Sequence, residues 1–281
     1  MKRKLVKQGP STITVSLPKK WIDLNNLDNG DEIDIDQIGN KLILSSENEK
    51  TSFEEYTLDV SNIKSNLIHE LILEIYKNNI KEITISGFNK EKLSKIKDIV
   101  NNSIGFEIIE STKTRIKIID LGFAKEEHLE KAEQQIFWKI LNLIEYCMNK
   151  EDNEDIHKLD LEVNKLSFFI QRNLIGFSDN KGKNLFKFEK ASLLESLSDS
   201  LFRYYKGGKD LEIFNELKEL VDLLRKNTNK FSFETFENIN NKLSKLKKEN
   251  STLKISRVSQ NIVEINRLEL RLNIDKILTK L

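Results

Sequence analysis

The stretch STITVSLPKKW, residues 11–21, decides how the N-terminal part of the chain folds. Its apolar positions have the two-residue period of a strand: Ile13, Val15 and Leu17. The chain contains only two prolines, and Pro10 and Pro18 lie on either side of this strand. Because proline cannot donate a hydrogen bond to a strand ladder, the pattern predicts one short strand that ends before two lysines and a tryptophan.

Charge is distributed unevenly around this strand. Residues 1–22 contain no acidic residue and six basic ones: Lys2, Arg3, Lys4, Lys7, Lys19 and Lys20. The next segment, residues 23–60, has eleven acidic residues against two lysines, and the net charge of the whole chain is only +1. A local basic patch on a near-neutral protein is typical of a nucleic-acid contact, and a merely solvated surface is the alternative.

The 281 residues are enough for two or three domains. Residues 1–48 are predicted to form short strands separated by turns, and so small a β module needs a second chain to complete its core. Residues 51–122 alternate strand and helix patterns, which predicts a small layered α/β domain. Residues 123–281 lack proline and have helical periodicity, which predicts a bundle with three helices before Gly207-Gly208 and about three after it.

Several classes of protein are disfavoured by composition. The longest run without a charged residue, Gln8–Pro18, is too short to span a bilayer, and no apolar segment of a signal peptide follows the basic start. The single cysteine, Cys147, excludes an internal disulfide framework. The sequence has no glycine-rich phosphate loop and no hydrolase-like order of Ser, His and Asp. We therefore expect a cytoplasmic protein that is not inserted in a membrane and is not an enzyme.

The N-terminal run from Arg3 to Ser45 resembles the AbrB-like swapped-hairpin DNA-binding domains, a group that includes the MazE-type antitoxins. The shared pattern is a basic first strand, a second strand ending in Pro18 and two lysines, a short helical turn, Gly30-Asp31 and an apolar hairpin. One departure is Asn25-Asn26-Leu27, where the family usually has Leu-Gly-Leu.

This resemblance implies that two chains exchange hairpins to close one β-barrel, as a homodimer or higher homo-oligomer that binds double-stranded DNA. The predicted DNA contacts are the six basic residues, with two hydroxyl side chains as additional hydrogen-bond donors to phosphate: Lys2, Arg3, Lys4, Lys7, Ser11, Thr12, Lys19 and Lys20.

The helical part resembles the PhoU-like phosphate-signalling domains. The resemblance rests on LDLEVNKLSFFIQRNL, residues 159–174, and on SLLESLSDSLFRYY, residues 192–205. It implies an all-α PhoU-like bundle that contacts a phosphate-transport or signalling protein. It also implies a divalent or iron-type metal ion held by Glu195 and Asp199, four residues apart on one helix, together with Asp160. Asn164 replaces a fourth acid, and a solvated or helix-capping role is the alternative for these carboxylates.

Together, these patterns predict an α+β multidomain protein: an AbrB-like swapped-hairpin barrel, a small α/β domain and a PhoU-like helical bundle. The function predicted from them is a DNA-binding transcriptional regulator of phosphate uptake. The alternative is an adaptor that docks on a phosphate transporter or sensor kinase and uses its N-terminal domain only to dimerise. The acid-free basic segment at residues 2–20 favours the regulator.

Overall fold

A computed structural model describes residues 3–10, 12–38, 41–46, 55–122, 124–176, 181–208, 211–249 and 253–277. The chain divides into two compact units: the head, Met1–Glu55, and the body, Tyr56–Leu281. The mixed α+β composition and the C-terminal helical region predicted from the sequence are confirmed. The three-domain boundaries near residues 48 and 122 stay a prediction.

The described residues of the head form short elements: β1 (Val6–Lys7), β2 (Ile13–Thr14), α1 (Lys19–Leu24), β3 (Ile33–Ile38) and β4 (Lys41–Ser46). Strand β1 pairs with β2, and β3 pairs with β4, each pair antiparallel. The described strands thus form two separate two-stranded sheets. One chain does not form the closed barrel predicted from the sequence, since four strands this short cannot surround a core by themselves.

The two prolines mark a turn and a helix start in the head. Gly9, with φ +90°, and Pro10 lie in the turn between β1 and β2, which is closed by a 2.8 Å hydrogen bond from the Gln8 amide to the Thr12 carbonyl. Pro18 is extended, with φ −66° and ψ 127°, and immediately precedes α1. Strand β2 is shorter than predicted, because its ladder ends at Thr14, before the remaining apolar positions.

Helix α1 ends in a Schellman motif, which explains the Asn25-Asn26-Leu27 departure. The Asn26 amide donates to the Asp23 carbonyl and the Leu27 amide donates to the Ile22 carbonyl, at 3.3 and 3.1 Å. Asn26 has φ +51°, the left-handed conformation that favours glycine and that asparagine also tolerates. Leu27 then turns inward and is buried. Asparagine therefore replaces the family's glycine without changing this type of helix end.

The body begins with a layer of four strands and two α-helices: β5 (Glu55–Asp59), a 3-10 turn (Ser65–Leu67), α2 (Ile68–Lys77), β6 (Glu82–Ser86), α3 (Lys90–Asn101), β7 (Phe106–Ser111) and β8 (Arg115–Asp120). The strand order is β5-β6-β8-β7, and β8 is antiparallel to both of its neighbours. Alternate residues of β6 and β8 are buried against α2 and α3: Ile83, Ile85, Ile116 and Ile118. This alternation places the hydrophobic core on one face of the sheet.

The described part of the chain after residue 123 is helical: α4 (Glu126–Asn149), α5 (Asn153–Gly176), α6 (Lys181–Lys206), α7 (Ile213–Asn229), α8 (Phe233–Glu249), α9 (Leu253–Leu272) and the short α10 (Ile274–Ile277). Helices α4, α5 and α6 pack together before Gly207-Gly208, and α7, α8 and α9 pack together after it. The two groups are joined where α9 packs on α6 and α7 packs on α4. A continuous apolar core runs through both groups.

A buried ion pair joins the bundle to the α/β layer. Arg172 of α5 pairs with Asp120 at the end of β8, and both side chains are only 1% exposed. The guanidinium lies 4.6 Å from the Tyr76 ring centroid and 4.8 Å from that of Phe106, and it donates to the Tyr76 carbonyl at 3.2 Å. Lys81 Nζ is 2.7 Å from the Asp120 carboxylate. These partners of Arg172 all belong to the α/β layer.

We expect Arg172→Ala to lower the free energy of unfolding of the full-length protein by about 3–5 kcal/mol, because it leaves the Asp120 carboxylate buried without its guanidinium partner. Urea unfolding followed by circular dichroism measures the change. Lys158→Ala, which removes an exposed pair with Asp155, is the matched control and should change stability by about 0.5 kcal/mol or less. Equal effects of the two substitutions would contradict a structural role for the buried pair.

Candidate nucleic-acid interface and acidic crevice

The β1–β2 hairpin positions two of the predicted DNA contacts. Lys7 lies opposite Ile13 in the ladder, and Thr12 is next to that pair. The hydrogen bond from Gln8 to Thr12 therefore holds Lys7 and Thr12 at the same end of the hairpin, and both residues are exposed. Arg3 and Lys4, which precede β1, are exposed as well. Lys2 and Ser11 lie outside the described residues.

Helix α1 positions the other two basic residues. Lys19 and Lys20 form its first turn, directly after Pro18, and both are exposed. The Lys19 side chain is 90% exposed, and its ammonium is 3.9 Å from the Asp23 carboxylate. An ion pair so long and so exposed is weak, so both lysines remain available to a phosphate group.

The head also exposes much of its apolar surface. Among its described residues, only Leu27 is a buried hydrophobic residue. Seven large apolar side chains are exposed: Leu5, Val6, Ile13, Val15, Leu24, Ile35 and Leu42. Side chains on β1, β2, β3 and β4 all contribute to this set. A small module with so much exposed apolar surface indicates a protein–protein interface.

Comparison with known families agrees with this geometry. Residues 6–52 match the family model described as "Antidote-toxin recognition MazE, bacterial antitoxin". The head is a MazE/AbrB-type domain. No curated protein and no solved structure matches the chain. The comparisons give no support to the PhoU-like resemblance of the helical part.

The family match covers the head of the chain and not the body. The match ends at residue 52, so it covers all the described strands and the helix of the head and none of the body after Tyr56.

Of the helices that the structure describes, none is long and apolar enough to cross a membrane.

The predicted metal ligands lie beside a crevice between the α/β layer and the bundle. This acidic crevice has a volume of about 590 Å³ and is bounded by α2 and α3 on one side and by α5 and α6 on the other. Four carboxylates line it: Glu70, Asp98, Glu195 and Asp199. Asn164 and Phe168 of α5 also line the crevice, and the Asn164 Oδ1 atom is buried without a hydrogen-bond partner.

The side chains at this crevice do not fit a metal ion as they are placed. Asp160 accepts a 2.7 Å hydrogen bond from the Ser198 hydroxyl, and Asp199 pairs with Arg203 one turn further along α6. Among the described residues, no three His, Cys, Asp or Glu side chains are close enough together to hold one ion. A divalent or iron-type metal bound by Asp160, Glu195 and Asp199 therefore stays a prediction from sequence.

The carboxylates near the crevice do affect one another electrostatically. Burial raises the pKa of Asp160, the nearby Asp199 carboxylate adds to the increase, and the hydrogen bond from Ser198 opposes it. Burial likewise raises the pKa of Glu195, and the Asp199 and Asp160 carboxylates contribute to that increase. The arrangement therefore favours the neutral form of these two acids more than an exposed surface would.

Other polar groups in the body could not be anticipated from sequence. Arg172 belongs to the segment that resembles PhoU-like domains, yet nothing in the pattern indicates that it pairs with Asp120, 52 positions earlier. Lys190, Glu133 and Glu269 form a group whose members come from three different helices, with Lys190 and Glu269 buried and Glu133 partly exposed. Charged residues are usually exposed, so sequence periodicity places them on the surface by default.

We expect the pH dependence of stability to show that the pKa of the Asp160 carboxyl is raised in the folded protein. Because the pKa of Asp160 is raised in the folded state, its contribution to stability is present below its unfolded pKa and is lost as the pH rises through its folded pKa. Asp160→Asn keeps an oxygen that accepts from Ser198 but cannot ionise. We therefore expect the stability of this variant minus that of the unmodified protein to be larger at pH 7 than at pH 4.

Thermal unfolding at the two pH values measures this difference. Asp155→Asn, at an exposed position of the same helix, is the control and should change stability little at either pH. If the stability difference between Asp160→Asn and the unmodified protein were the same at pH 4 and pH 7, the pKa of the Asp160 carboxyl would not be raised in the folded state.

Proposed function

We propose that this protein is a DNA-binding transcriptional regulator whose head contacts the DNA. The observation that carries the proposal is the exposed basic surface of a MazE/AbrB-type domain, since domains of this type bind DNA and form dimers. Its described members are Arg3, Lys4, Lys7, Lys19 and Lys20. Two copies of the head would bring twice this charge to the DNA backbone, where lysine and arginine release condensed counterions.

A dimer would also bury the exposed apolar surface of the head. Burying a Leu or Ile side chain stabilises a protein by about 1.5–3 kcal/mol, and the head leaves several of them in solvent. A second head, joined by exchanged hairpins, would cover both two-stranded sheets and close the barrel that one chain leaves open. The apolar residues of the strands then serve assembly, and the basic residues of β1 and α1 serve DNA binding.

Within this proposal, the lysines and Arg3 bind phosphates, and Thr12 donates a hydrogen bond to one. Ser11 and Lys2 have the same predicted role. The body, with its acidic crevice and its bundle, would sense a signal or bind a partner. The regulator is proposed to be cytoplasmic and non-enzymatic. Control of phosphate uptake is the specific hypothesis that the PhoU-like resemblance suggested, and it rests on that resemblance alone.

Antitoxin-type regulation is a second candidate function. The matching family is described by its recognition of a toxin, and such a role would make the body or the head a binding partner of a second protein. The adaptor alternative, in which the head only dimerises and the bundle contacts a phosphate transporter or sensor kinase, requires no DNA contact. The exposed lysines of α1 favour DNA binding over the adaptor, since a dimer clamp does not need them.

We expect the full-length protein to sediment as a dimer and Leu42→Asp to weaken that dimer at least about tenfold, because a charge would replace an apolar side chain buried between chains. Analytical ultracentrifugation across a concentration series measures the dissociation. Leu185→Asp, at an equally exposed apolar position on α6, is the control and should leave the oligomer unchanged. A full-length protein that is monomeric at micromolar concentration would contradict the swapped-hairpin proposal.

We expect Lys19→Ala with Lys20→Ala to weaken DNA binding and to flatten its salt dependence. Each phosphate contact that is lost should reduce the slope of log affinity against log salt concentration by about 0.9. Electrophoretic mobility shift and fluorescence anisotropy over a salt series measure both quantities. Lys247→Ala with Lys248→Ala, an adjacent exposed pair on α8, is the control for removing two positive charges from the same chain.

The DNA fragments in this experiment separate the candidate functions. Suitable fragments are those upstream of the protein's own gene and of phosphate-transport genes, with unrelated DNA of equal length as a reference. Binding with an unchanged salt slope in the Lys19 and Lys20 variant would place the DNA contact elsewhere. No binding to any fragment by the dimer would favour the adaptor, and equal binding to all fragments would remove the support for a phosphate-specific operator.

A further inference from the structure

The bundle has a second cleft, larger than the acidic crevice. The cleft has a volume of about 850 Å³ and lies where α4 and α6 begin and where α7 and α9 end. Its floor is a group of three charged side chains, one from each of three helices: Glu133 of α4, Lys190 of α6 and Glu269 of α9. The Lys190 and Glu269 side chains are only 4% and 2% exposed.

The contacts within this floor leave part of each carboxylate unused. Lys190 Nζ is 2.6 Å from Glu133 Oε1 and 2.8 Å from Glu269 Oε1. The Thr228 hydroxyl also donates to Glu269 Oε1, at 2.6 Å. The hydrogen bonds and ion pairs that the described residues make to the two carboxylates thus all end on Oε1, and both Oε2 atoms remain as acceptors.

The floor has one negative charge more than its lysine can balance. Two carboxylates share a single ammonium group, and burial of unbalanced charge is costly. Burial raises the pKa of Glu133, and the Glu269 carboxylate adds to this increase while Lys190 opposes it.

The other lysines around the cleft offset that charge only in part, although Lys187 acts on Glu133 and lowers its pKa. Lys187 pairs with Glu126, and Lys183 is 2.8 Å from the Asp275 carboxylate. Glu127 and Glu130, near the start of α4, add two more carboxylates to the lining, against one further lysine, Lys131. The lining of the cleft thus has four glutamates and four lysines, and the excess of negative charge that favours a cation lies at the floor, where two carboxylates share one ammonium.

The shape and the other lining groups favour an organic cation over a metal ion. A volume of about 850 Å³ is in the range of small-molecule sites, which is about 300–1,000 Å³. The Lys190 ammonium lies between the two carboxylates and keeps them from converging on one metal ion, whereas an organic cation has several N–H donors and can reach the two Oε2 atoms separately. Trp138 adds an aromatic wall, and its half-exposed ring has the Arg225 guanidinium 4.6 Å from its centroid. An aromatic surface of this kind suits ammonium and guanidinium groups.

We propose that this cleft is a binding site for a small organic cation, whose ammonium or guanidinium group donates hydrogen bonds to the Oε2 atoms of Glu133 and Glu269. The cation supplies the positive charge that the floor lacks, and its carbon skeleton lies along Trp138. The site is formed within the body and does not depend on whether the head binds DNA.

The experiment uses the full-length protein and two probes, methylguanidinium and 1,4-diaminobutane. Calorimetry measures their affinity, and Trp138 provides an independent signal because the chain has only one other tryptophan, Trp21, which Trp21→Phe removes. Magnesium chloride and sodium glutarate, at matched ionic strength, are the metal-ion and anion controls. We expect saturable binding of at least one of the two organic cations, accompanied by a change in Trp138 fluorescence.

Two variants test the geometry. Glu269→Gln should weaken binding about tenfold or more, because it removes the excess negative charge and a charge-assisted hydrogen bond, while its amide oxygen can still accept from Lys190 and Thr228. Asn229→Trp fills the cleft from an exposed position at the end of α7 without touching the floor, so it keeps the test decisive if the first variant unfolds. Glu219→Gln, which removes an exposed carboxylate paired with Lys242, is the matched control and should bind as the unmodified protein does.

Each result decides the proposal. Loss of binding in Glu269→Gln and Asn229→Trp, with binding retained in Glu219→Gln, supports it. Absence of binding of both probes up to about 10 mM would show that the buried group is purely structural, and undiminished affinity in a folded Glu269→Gln or Asn229→Trp would place the ligand elsewhere. Tighter binding of magnesium or glutarate than of either organic cation would overturn the assigned class of ligand.

Discussion

The buried pair of Arg172 and Asp120 is the interaction on which the body depends, because it places the charge of a bundle helix inside the α/β layer. A guanidinium at this depth needs partners for its charge, and here a carboxylate, a backbone carbonyl and two aromatic rings surround it, although its Nη2 atom makes no hydrogen bond of normal geometry. Asp120 is held in turn by Lys81 and by the Gly122 amide at 2.9 Å. Since these additional partners come from the α/β layer, Arg172 is the residue by which the bundle supplies a counterion to Asp120.

Helix α5 connects this pair to the acidic crevice. Asp160, Asn164, Phe168 and Arg172 recur every four residues, so they lie along one side of the helix. Asp160 is bonded to α6, Asn164 and Phe168 line the crevice, and Arg172 reaches the α/β layer. A rigid helix transmits a shift at one end of such a stripe to the other. Helix α5 therefore links the crevice to the buried Asp120, in addition to the direct contact that α2 and α3 of the α/β layer make with the crevice.

The sequence predicted the parts of this protein that depend on local chemistry. Pro10 and Pro18 marked the two ends of a predicted strand, and the strand and helix patterns of residues 51–122 predicted the mixed α/β elements found there, since both follow from backbone geometry over a few residues. The closed barrel is not formed by the described strands of one chain, which make two separate two-stranded sheets. The partners of Arg172 and Lys190 were not predictable either: they are far apart in sequence and meet only after the helices pack.

The body contains three groups of buried ionisable side chains, and they differ in how their charges are balanced. Arg172 and Asp120 form a pair with an additional lysine, Asp160 is held near a second carboxylate with a raised pKa, and Lys190 is shared by two glutamates. Buried ion pairs contribute little net stability compared with apolar packing, so stability alone does not explain why three such groups interrupt continuous cores. The Arg172 group balances its charges with a carboxylate and a lysine, as expected of a structural contact. Asp160 accepts a hydrogen bond from Ser198 and is 3.9 Å from His157, so the Lys190 group is the one that keeps an excess of carboxylates beside a cavity.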